Sequence, residues 1–415
     1  MEVFKFGGAS VKDATGVKNV ARVLHSTGYG NTLLVLSAMG KMTNAFELLV
    51  EAYITDRALV NHQRSAIEEY HTKIMNDLFS GKHPIWDDVK RVFTDLDTFL
   101  EENTSLDYDY VYDQVVSVAE LLSTKIVSAY LNTQGINNQW LDVRDFIRTN
   151  STFRGAEVDW EWTNRTISTK LKPEQLYITQ GFIARNEQGQ TTTLGREGSD
   201  YSAGIFAYSL NADALTIWKD VDGVLNADPR YFNETKLLTQ ISYTEAIELA
   251  FYGASVIHPK TIQPLQKKEI PLHVKSFIHP LRQGTTVTRG IKIIPNLPCF
   301  IVKKEQVLLS ISSLDFSFII EQNISDIFKH LHTHKIKVNL IQNSAISFSV
   351  CLEDKYHQFD ALLRLLKQEF LVAVTRGATL YTIRHFTPEA LAFIEEHNAV
   401  LLKQTTMETV QMVVQ

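Results

Sequence analysis

Two short apolar runs, residues 3–6 and 32–36, each stop at a glycine-containing turn and give way to residues at helical spacing; this repeated unit constrains the fold more than any other feature. Gly7-Gly8 follows the first run, and Val17, Val20, Ala21 and Leu24 then share one helical face within residues 12–24. Ser37-Ala38-Met39-Gly40 follows the second, ahead of a helical stretch that begins near Thr43. A strand that is apolar at every position has both faces covered. The alternation therefore predicts an α/β domain, a mostly parallel sheet with helices on both faces and its site at the strand C-termini. Residues 53–131 read as helical, with Ile67, Tyr70, His71 and Ile74 on one face and Val115, Val118, Ala119 and Leu122 on another. Further strands at 138–141, 176–179 and 214–218 carry this domain over residues 1–290.

Beyond Pro295-Asn296-Leu297-Pro298 the rhythm shortens, and region 291–415 reads differently. A strand at 307–312, a helix at 324–334, strands at 338–342 and 346–352, a helix at 362–368 and a strand at 371–374 give a β-α-β-β-α-β order, an α+β ferredoxin-like module. The pattern restarts at 379–383, 388–396, 400–403 and 410–414 and stops short of a further helix.

The 415 residues suffice for two to three domains, and 44% hydrophobic content provides a large core. A formal net charge of −6 supplies no positive field for nucleic acid. The two cysteines, Cys299 and Cys351, have neither metal-ligand nor redox spacing, so a reducing cytoplasm is expected and no protein-held metal. The start, Met1-Glu2-Val3-Phe4-Lys5, is not a leader, and no run reaches the roughly 18 apolar residues that cross a bilayer, so neither secretion nor membrane insertion is expected.

Four clusters carry candidate chemistry. Lys5-Phe6-Gly7-Gly8-Ala9-Ser10-Val11 offers backbone amides that approach phosphate oxygens, a helix N-terminus and a lysine point charge, the parts that phosphoryl transfer needs. It is not a Walker A loop, and a Gly-Gly turn after a strand also serves as a purely structural device. Gly195-Arg196-Glu197-Gly198-Ser199-Asp200 opens a helix: Arg196 has the fork that suits a carboxylate, and Asp200 suits a lysine or a cation, while Ser199 and Asp200 also fit a bare capping role. The stretch from Trp218 to Arg230 contains Lys219, Asp220, Leu225 and the turn signals Asp222-Gly223 and Asp228-Pro229, and reads equally as a loop. In Gly253-Ala254-Ser255-Val256-Ile257-His258-Pro259-Lys260, His258 reads first as packing.

In this order and spacing the clusters resemble the aspartate kinases of the amino-acid-kinase superfamily, whose K-F-G-G-[TS]-S pattern is matched at Lys5 to Ser10. Ser37-Ala38-Met39 with Thr43-Asn44, Glu120, Asp142 with Arg144, and Gly181-Phe182-Ile183-Ala184 extend the likeness over nearly the whole chain, because that family continues into paired regulatory ACT modules. The resemblance implies transfer of the ATP γ-phosphoryl group, with Mg2+, to the β-carboxylate of L-aspartate, the step that opens lysine, threonine and methionine biosynthesis. It implies Lys5 and Asp200 as catalytic residues, and Thr43, Glu120, Phe182, Arg196 and Ser199 at the substrate. It places Gly7, Gly8, Ser10, Ser37, Lys219, Asp220, Leu225, Arg230, Ser255 and Lys260 at ATP. A homodimer through ACT modules follows, the first over about 304–377 and the second from 299–303 plus 378–415, truncated.

Four positions depart from the family: Ala9 for Thr or Ser, Lys219 where Thr or Ser is frequent, Leu225 where an aromatic often stands, and Ser255 where Lys is common, with Lys260 nearby to replace its charge. Lysine is the expected effector, through Asn339 and Ser344. Asn339 stands where lysine-sensitive members often carry Asp and Asn343-Ser344-Ala345 replaces Thr-Ser-Glu, so two carboxylates are lost and modest sensitivity is expected. The rival readings are another acid kinase of the superfamily, such as a glutamate or acetylglutamate kinase, and an amino-acid sensor that binds without turnover.

Overall fold

The computed structural model describes residues 1–254, 257–290, 293–315 and 317–415. Its chain divides into two compact units. The first holds everything through Val224, Leu237–Ile247 and the stretch that ends at Ile293; the second holds Leu225–Lys236, the stretch that begins at Glu248, and Ile294–Gln415.

The strands of the first sheet are β1 (Glu2–Phe6), β2 (Thr32–Leu36), β3 (Gln139–Trp140), β4 (Tyr177–Gln180), β7 (Leu215–Lys219), β8 (Gln240–Ser242), β9 (Leu272–Ser276), β10 (Thr285–Thr288) and β11 (Ile293–Ile294), and a separate ribbon pairs β5 (Ile183–Arg185) with β6 (Thr191–Thr193). The nine-stranded order is β11-β8-β10-β9-β7-β1-β2-β4-β3, and β9, β7, β1, β2, β4 and β3 run parallel. As their apolar runs require, β2 is buried at all five positions and β1 at its last four. Trp218 of β7 locks the centre, stacked on Phe6 at 5.9 Å and edge-on to Phe4 at 5.6 Å.

The helices are α1 (Ala14–Thr27), α2 (Met42–Thr55), α3 (Val60–Leu78), α4 (Ile85–Glu102), α5 (Tyr108–Thr133), α6 (Trp160–Lys170), α7 (Gly198–Leu210), α8 (Tyr243–Tyr252) and α9 (Pro259–Lys268). Local chemistry sets their ends. Asp13 accepts the Gly16 N–H at 2.8 Å to start α1, and Gly28, at φ +87°, stops it. The helical reading of 53–131 resolves into parts of α2 to α5. Helix α7 packs across β1, β2 and β7, and α5 across β2, β3 and β4, so both present residues to the C-terminal edge of the sheet.

The second unit is an antiparallel sheet with helices, the α+β arrangement expected. Its strands are β12 (Cys299–Ser312), β13 (Lys337–Asn343), β14 (Ser347–Glu353), β15 (Leu371–Arg384), β16 (Val400–Thr405) and β17 (Thr409–Val414), in the order β13-β14-β12-β15-β17-β16, with α10 (Glu321–Thr333), α11 (Phe359–Glu369) and α12 (Pro388–Glu395). The sequence reading breaks two of these strands, and the structure joins them. The strands expected at 299–303 and 307–312 are one strand, β12, and those at 371–374 and 379–383 are one strand, β15, so a single six-stranded sheet serves both halves. A bulge between Lys303 and Gln306, with Glu305 at φ +53°, absorbs the polar break that looked like a boundary. Among the described residues the buried clusters of this unit stay distinct: one gathers Leu309, Ile327, Phe348 and Leu362, another Ile383, Ile394, Val410 and Met412, and another Leu340, Cys351, Leu380 and Val413.

Candidate active site

Parallel neighbours deliver their C-terminal loops to one place. After β1, residues Gly8–Val11 form a 3-10 turn, and a Cβ at Gly8 would lie 2.8 Å from the carbonyl oxygens of both Ala38 and Gly40. The loops after β1 and β2 therefore touch backbone to backbone, and the Gly40 N–H donates to the Gly8 carbonyl at 3.0 Å. Ser37 continues the ladder by donating its N–H to Phe6 at 3.1 Å, while its carbonyl accepts the Ser123 hydroxyl of α5 at 2.7 Å. After β4, Gly181 allows the start of α7 to approach: a Cβ there would fall 2.6 Å from the Ser199 Cα. Phe182, at φ +72°, is held in that conformation by its N–H to the Ser202 hydroxyl, 3.0 Å, and its carbonyl to Leu194, 2.8 Å.

These loops enclose a cleft of about 410 Å3 lined by Lys5, Gly8, Ser37, Thr43, Glu120, Phe182, Arg196, Ser199 and Asp200 among others. Its inner end is charged and buried. Lys5 Nζ sits 2.6 Å from Asp200 Oδ1, with the Asp200 side chain wholly buried, and Lys219 Nζ lies 3.9 Å from Oδ2. Burial opposes ionisation of Asp200, but the two ammonium groups outweigh it and hold its carboxyl below the usual range. Glu120 behaves oppositely. It is 3% exposed, its Oε2 has no hydrogen-bond partner among the described residues, and burial pushes its carboxyl up to about 8 against the pull of Lys5 and a backbone hydrogen bond from Ala38. Buried carboxylate oxygens are seldom left without a partner, which sets Glu120 apart from the ion-paired Asp200.

The remaining expected residues fall in several places. A Cβ on Gly7 would lie 3.4 Å from Lys5 Nζ, so this glycine keeps room at the ammonium. Ser10 is 1% exposed and does not line the cleft; its hydroxyl is enclosed without a partner. Lys219 ends β7 and Asp220 follows it, exposed. Lys260 is exposed in the first turn of α9, which His258 caps by accepting the Lys260 N–H at 3.2 Å, so His258 has a structural role. Leu225 and Arg230 belong to the second unit, where Arg230 is exposed and bound to Asp228 at 2.6 Å. Ser255 lies outside the described residues. Asn339 of β13 accepts from Lys303 Nζ at 2.8 Å and donates to Gln306 Oε1 at 2.8 Å, and Ser344 closes the β13–β14 turn on Ser347, hydroxyl to hydroxyl at 2.8 Å.

The amino acid kinase family model matches residues 1–276. The lysine-sensitive aspartokinase 3 of Escherichia coli strain K12 is 33% identical over 356 residues, which are 85% of this chain and 78% of that protein. The chain belongs to the aspartokinases of the amino acid kinase family. Aspartokinases therefore frame its chemistry, and it is a kinase. The bifunctional aspartokinase/homoserine dehydrogenase 2 of Arabidopsis thaliana is 29% identical over 90% of this chain, which spans 42% of that longer protein. Among solved structures, E. coli aspartokinase III with lysine and aspartate, T-state, superposes at a TM-score of 0.85 with 30% identity, covering 100% of this chain and 96% of that one. The same enzyme with aspartate and ADP, R-state, gives 0.79 at 29% identity over the same shares.

The cleft of this aspartokinase takes in further residues, of which Thr193 and Glu197 belong to the glycine-rich cluster and Tyr112 and Arg154 carry no sequence signal. Tyr112, Arg154, Thr193 and Glu197 line the cleft, and Asp113 stands behind it, accepting the Thr193 N–H and hydroxyl at 2.8 and 2.7 Å and the Arg154 N–H at 3.0 Å. Burial pushes the Asp113 carboxyl up to about 6 despite those hydrogen bonds. Tyr112 and Asp113 are single polar residues on α5 and Arg154 lies in a turn, none with a motif around it, whereas Thr193 ends β6. Glu197, at φ +56°, occupies a left-handed position between Arg196 and Gly198.

Proposed function

We propose that the chain transfers the γ-phosphoryl group of ATP to the β-carboxylate of L-aspartate, forming 4-phospho-L-aspartate and ADP. The observation that carries this reading is the buried Lys5–Asp200 pair set beside the unpartnered Glu120 oxygen in one cleft. A β-carboxylate oxygen attacks the γ-phosphorus, the bond to the β,γ-bridging oxygen breaks, and ADP leaves with that electron pair. The attacking carboxylate is already ionised near pH 7, so no general base is needed and catalysis is positioning plus charge balance. Lys5, oriented by Asp200, meets the charge that spreads over the transferring oxygens. Glu120 receives the substrate ammonium, Arg196 clamps a carboxylate, and Thr43, Ser199 and the Phe182 backbone complete the fit.

The amides of Gly7 and Gly8 with Ser37 handle phosphate, and Lys219, Asp220 and Lys260 are read on the nucleotide side, with Ser10 supporting the loop from within. Magnesium enters on the nucleotide phosphates: Asp200 is already shared by two lysines, and among the described residues no group of three His, Cys, Asp or Glu is arranged for a metal ion. The second unit is read as two ACT-like modules, about 304–377 and 299–303 plus 378–415, that pair into a homodimer and bind an amino acid. Lysine is the proposed effector, as named for the E. coli relative, with modest potency because Lys303 already engages the Asn339 amide. The setting proposed is cytoplasmic; no described helix is long and apolar enough to cross a membrane. Hydroxylamine trapping of the acyl phosphate with ATP and aspartate tests the reaction. Lys5→Ala is expected to lower kcat by about 100- to 1,000-fold, the scale for losing one transition-state charge contact, and wild-type turnover in that variant would sink the role of Lys5.

A further inference from the structure

Beyond Arg196, the cleft presents a second guanidinium that the reaction scheme above leaves unused. Arg154 lines it, with a side chain 43% exposed. Its backbone sits at φ +61°, a conformation unfavourable for a residue with a side chain, and such strain persists only where the surroundings enforce it. Asp113 enforces it. This fully buried carboxylate takes the Arg154 N–H at 3.0 Å together with the N–H and hydroxyl of Thr193, tying the turn to the strand that leads into Gly195-Arg196. A Cβ at Gly195 would lie 3.2 Å from the Arg154 carbonyl oxygen, so the two arginine-bearing segments abut.

The guanidinium is held on a platform. It lies 4.4 Å from the Tyr112 ring centroid and 5.3 Å from that of Tyr108, and its Nη1 is 3.2 Å from Asp109 Oδ1. Tyr112 is itself pinned, its hydroxyl donating to Glu47 at 2.8 Å. A guanidinium has five N–H donors, and among the described residues the Arg154 side chain uses one of them, on Asp109. The others are left for something in the cleft.

We propose that Arg154 is a second carboxylate-recognition residue, which takes the non-reacting carboxylate of a dicarboxylic amino acid and so sets substrate specificity. The inference rests on the proposed reaction. One carboxylate must lie at the buried Lys5 end for transfer, which leaves the other at the exposed wall formed by Arg154 and Arg196. Stacking on Tyr112 pre-orders the fork, so little side-chain freedom is lost when it closes on a carboxylate.

The test uses the full chain with saturating ATP and two substrates, L-aspartate and its α-amide. Arg154→Ala is expected to raise KM for aspartate about 10- to 100-fold, the scale of one charged hydrogen-bonded contact, with kcat and KM for ATP little changed. The preference for aspartate over the α-amide should fall by a similar factor. Arg154→Lys should restore part of the loss, and Asp109→Asn, which keeps the guanidinium, should leave the preference intact. A wild-type KM in Arg154→Ala, or a loss that falls equally on aspartate and the α-amide, overturns the inference while leaving the reaction standing. Absence of aspartate turnover in the wild type overturns both.

Discussion

Replacing Glu120 by glutamine separates substrate recognition from fold stability, because the native residue is expected to favour one and oppose the other. In the unfolded chain its carboxyl titrates at the ordinary value of 4.5, and in the folded protein burial holds it at about 8. Between those values the folded state keeps a proton that the unfolded state has released, so stability falls as pH rises from 4.5 and levels off above about 8. At about 1.4 kcal/mol for each tenfold change in proton affinity, the penalty is roughly 2 kcal/mol at pH 6 and about 5 kcal/mol at pH 8.5. Glutamine has nearly the same shape and never titrates. Glu120→Gln should thus stabilise the ligand-free protein, by about 2–3 kcal/mol more at pH 8.5 than at pH 6 on that arithmetic. The assay is urea unfolding of both proteins at the two pH values, followed by circular dichroism, with aspartate kinetics on the same samples. The variant's KM for aspartate should rise at least tenfold, the scale of a lost charged contact, and the wild-type KM should fall as pH climbs through about 8. A stability difference that is the same at both pH values, or a variant destabilised at pH 8.5, would refute the reasoning.

Gly8→Ala should raise KM for ATP by about tenfold or more, since its Cβ would meet two backbone oxygens at 2.8 Å and such overpacking costs roughly 1–3 kcal/mol; coupled-enzyme kinetics read it, and an unchanged KM would mean the two loops separate freely. His71 is fully buried and its ring is held neutral: burial lowers its pKa to about 4, Nδ1 faces the Ile67 carbonyl at 2.8 Å, and Nε2 has no partner among the described residues. The unfolded state takes up a proton below about 6.5 and the folded state resists until about 4, so stability is lost as pH falls through that window, by roughly 3 kcal/mol in total. His71→Leu should flatten the acid limb of the stability profile. Lysine, threonine and their mixture, titrated into the aspartate assay, should give weak inhibition by lysine; strong inhibition by threonine alone would displace lysine as the effector.

The α/β unit was legible because its strands are buried on both faces, so burial wrote unbroken apolar runs into the sequence at 3–6 and 32–36. The cleft residues were legible in part: Lys5 stands just before a glycine pair, Arg196 and Asp200 lie in a glycine-bearing helix start, and Glu120, in the middle of α5, was reached only through the family resemblance. The second sheet was harder to read. β12 and β15 each cross 14 residues, and the polar Lys303-to-Gln306 bulge interrupts their pattern without ending the strand, so the eye divides what hydrogen bonding joins. The Asp113, Arg154 and Tyr112 group could not be read at all. Asp113 and Arg154 are 41 positions apart, and only tertiary packing brings the carboxylate beneath the turn.

The reaction is tested most directly by following oxygen. L-aspartate labelled with 18O in its β-carboxylate, incubated with ATP and hydroxylamine, should yield inorganic phosphate carrying one label for each ADP formed, because the attacking oxygen joins phosphorus and departs with it when hydroxylamine attacks the acyl carbon. Unlabelled phosphate would contradict the assignment of this cleft to β-carboxylate phosphorylation.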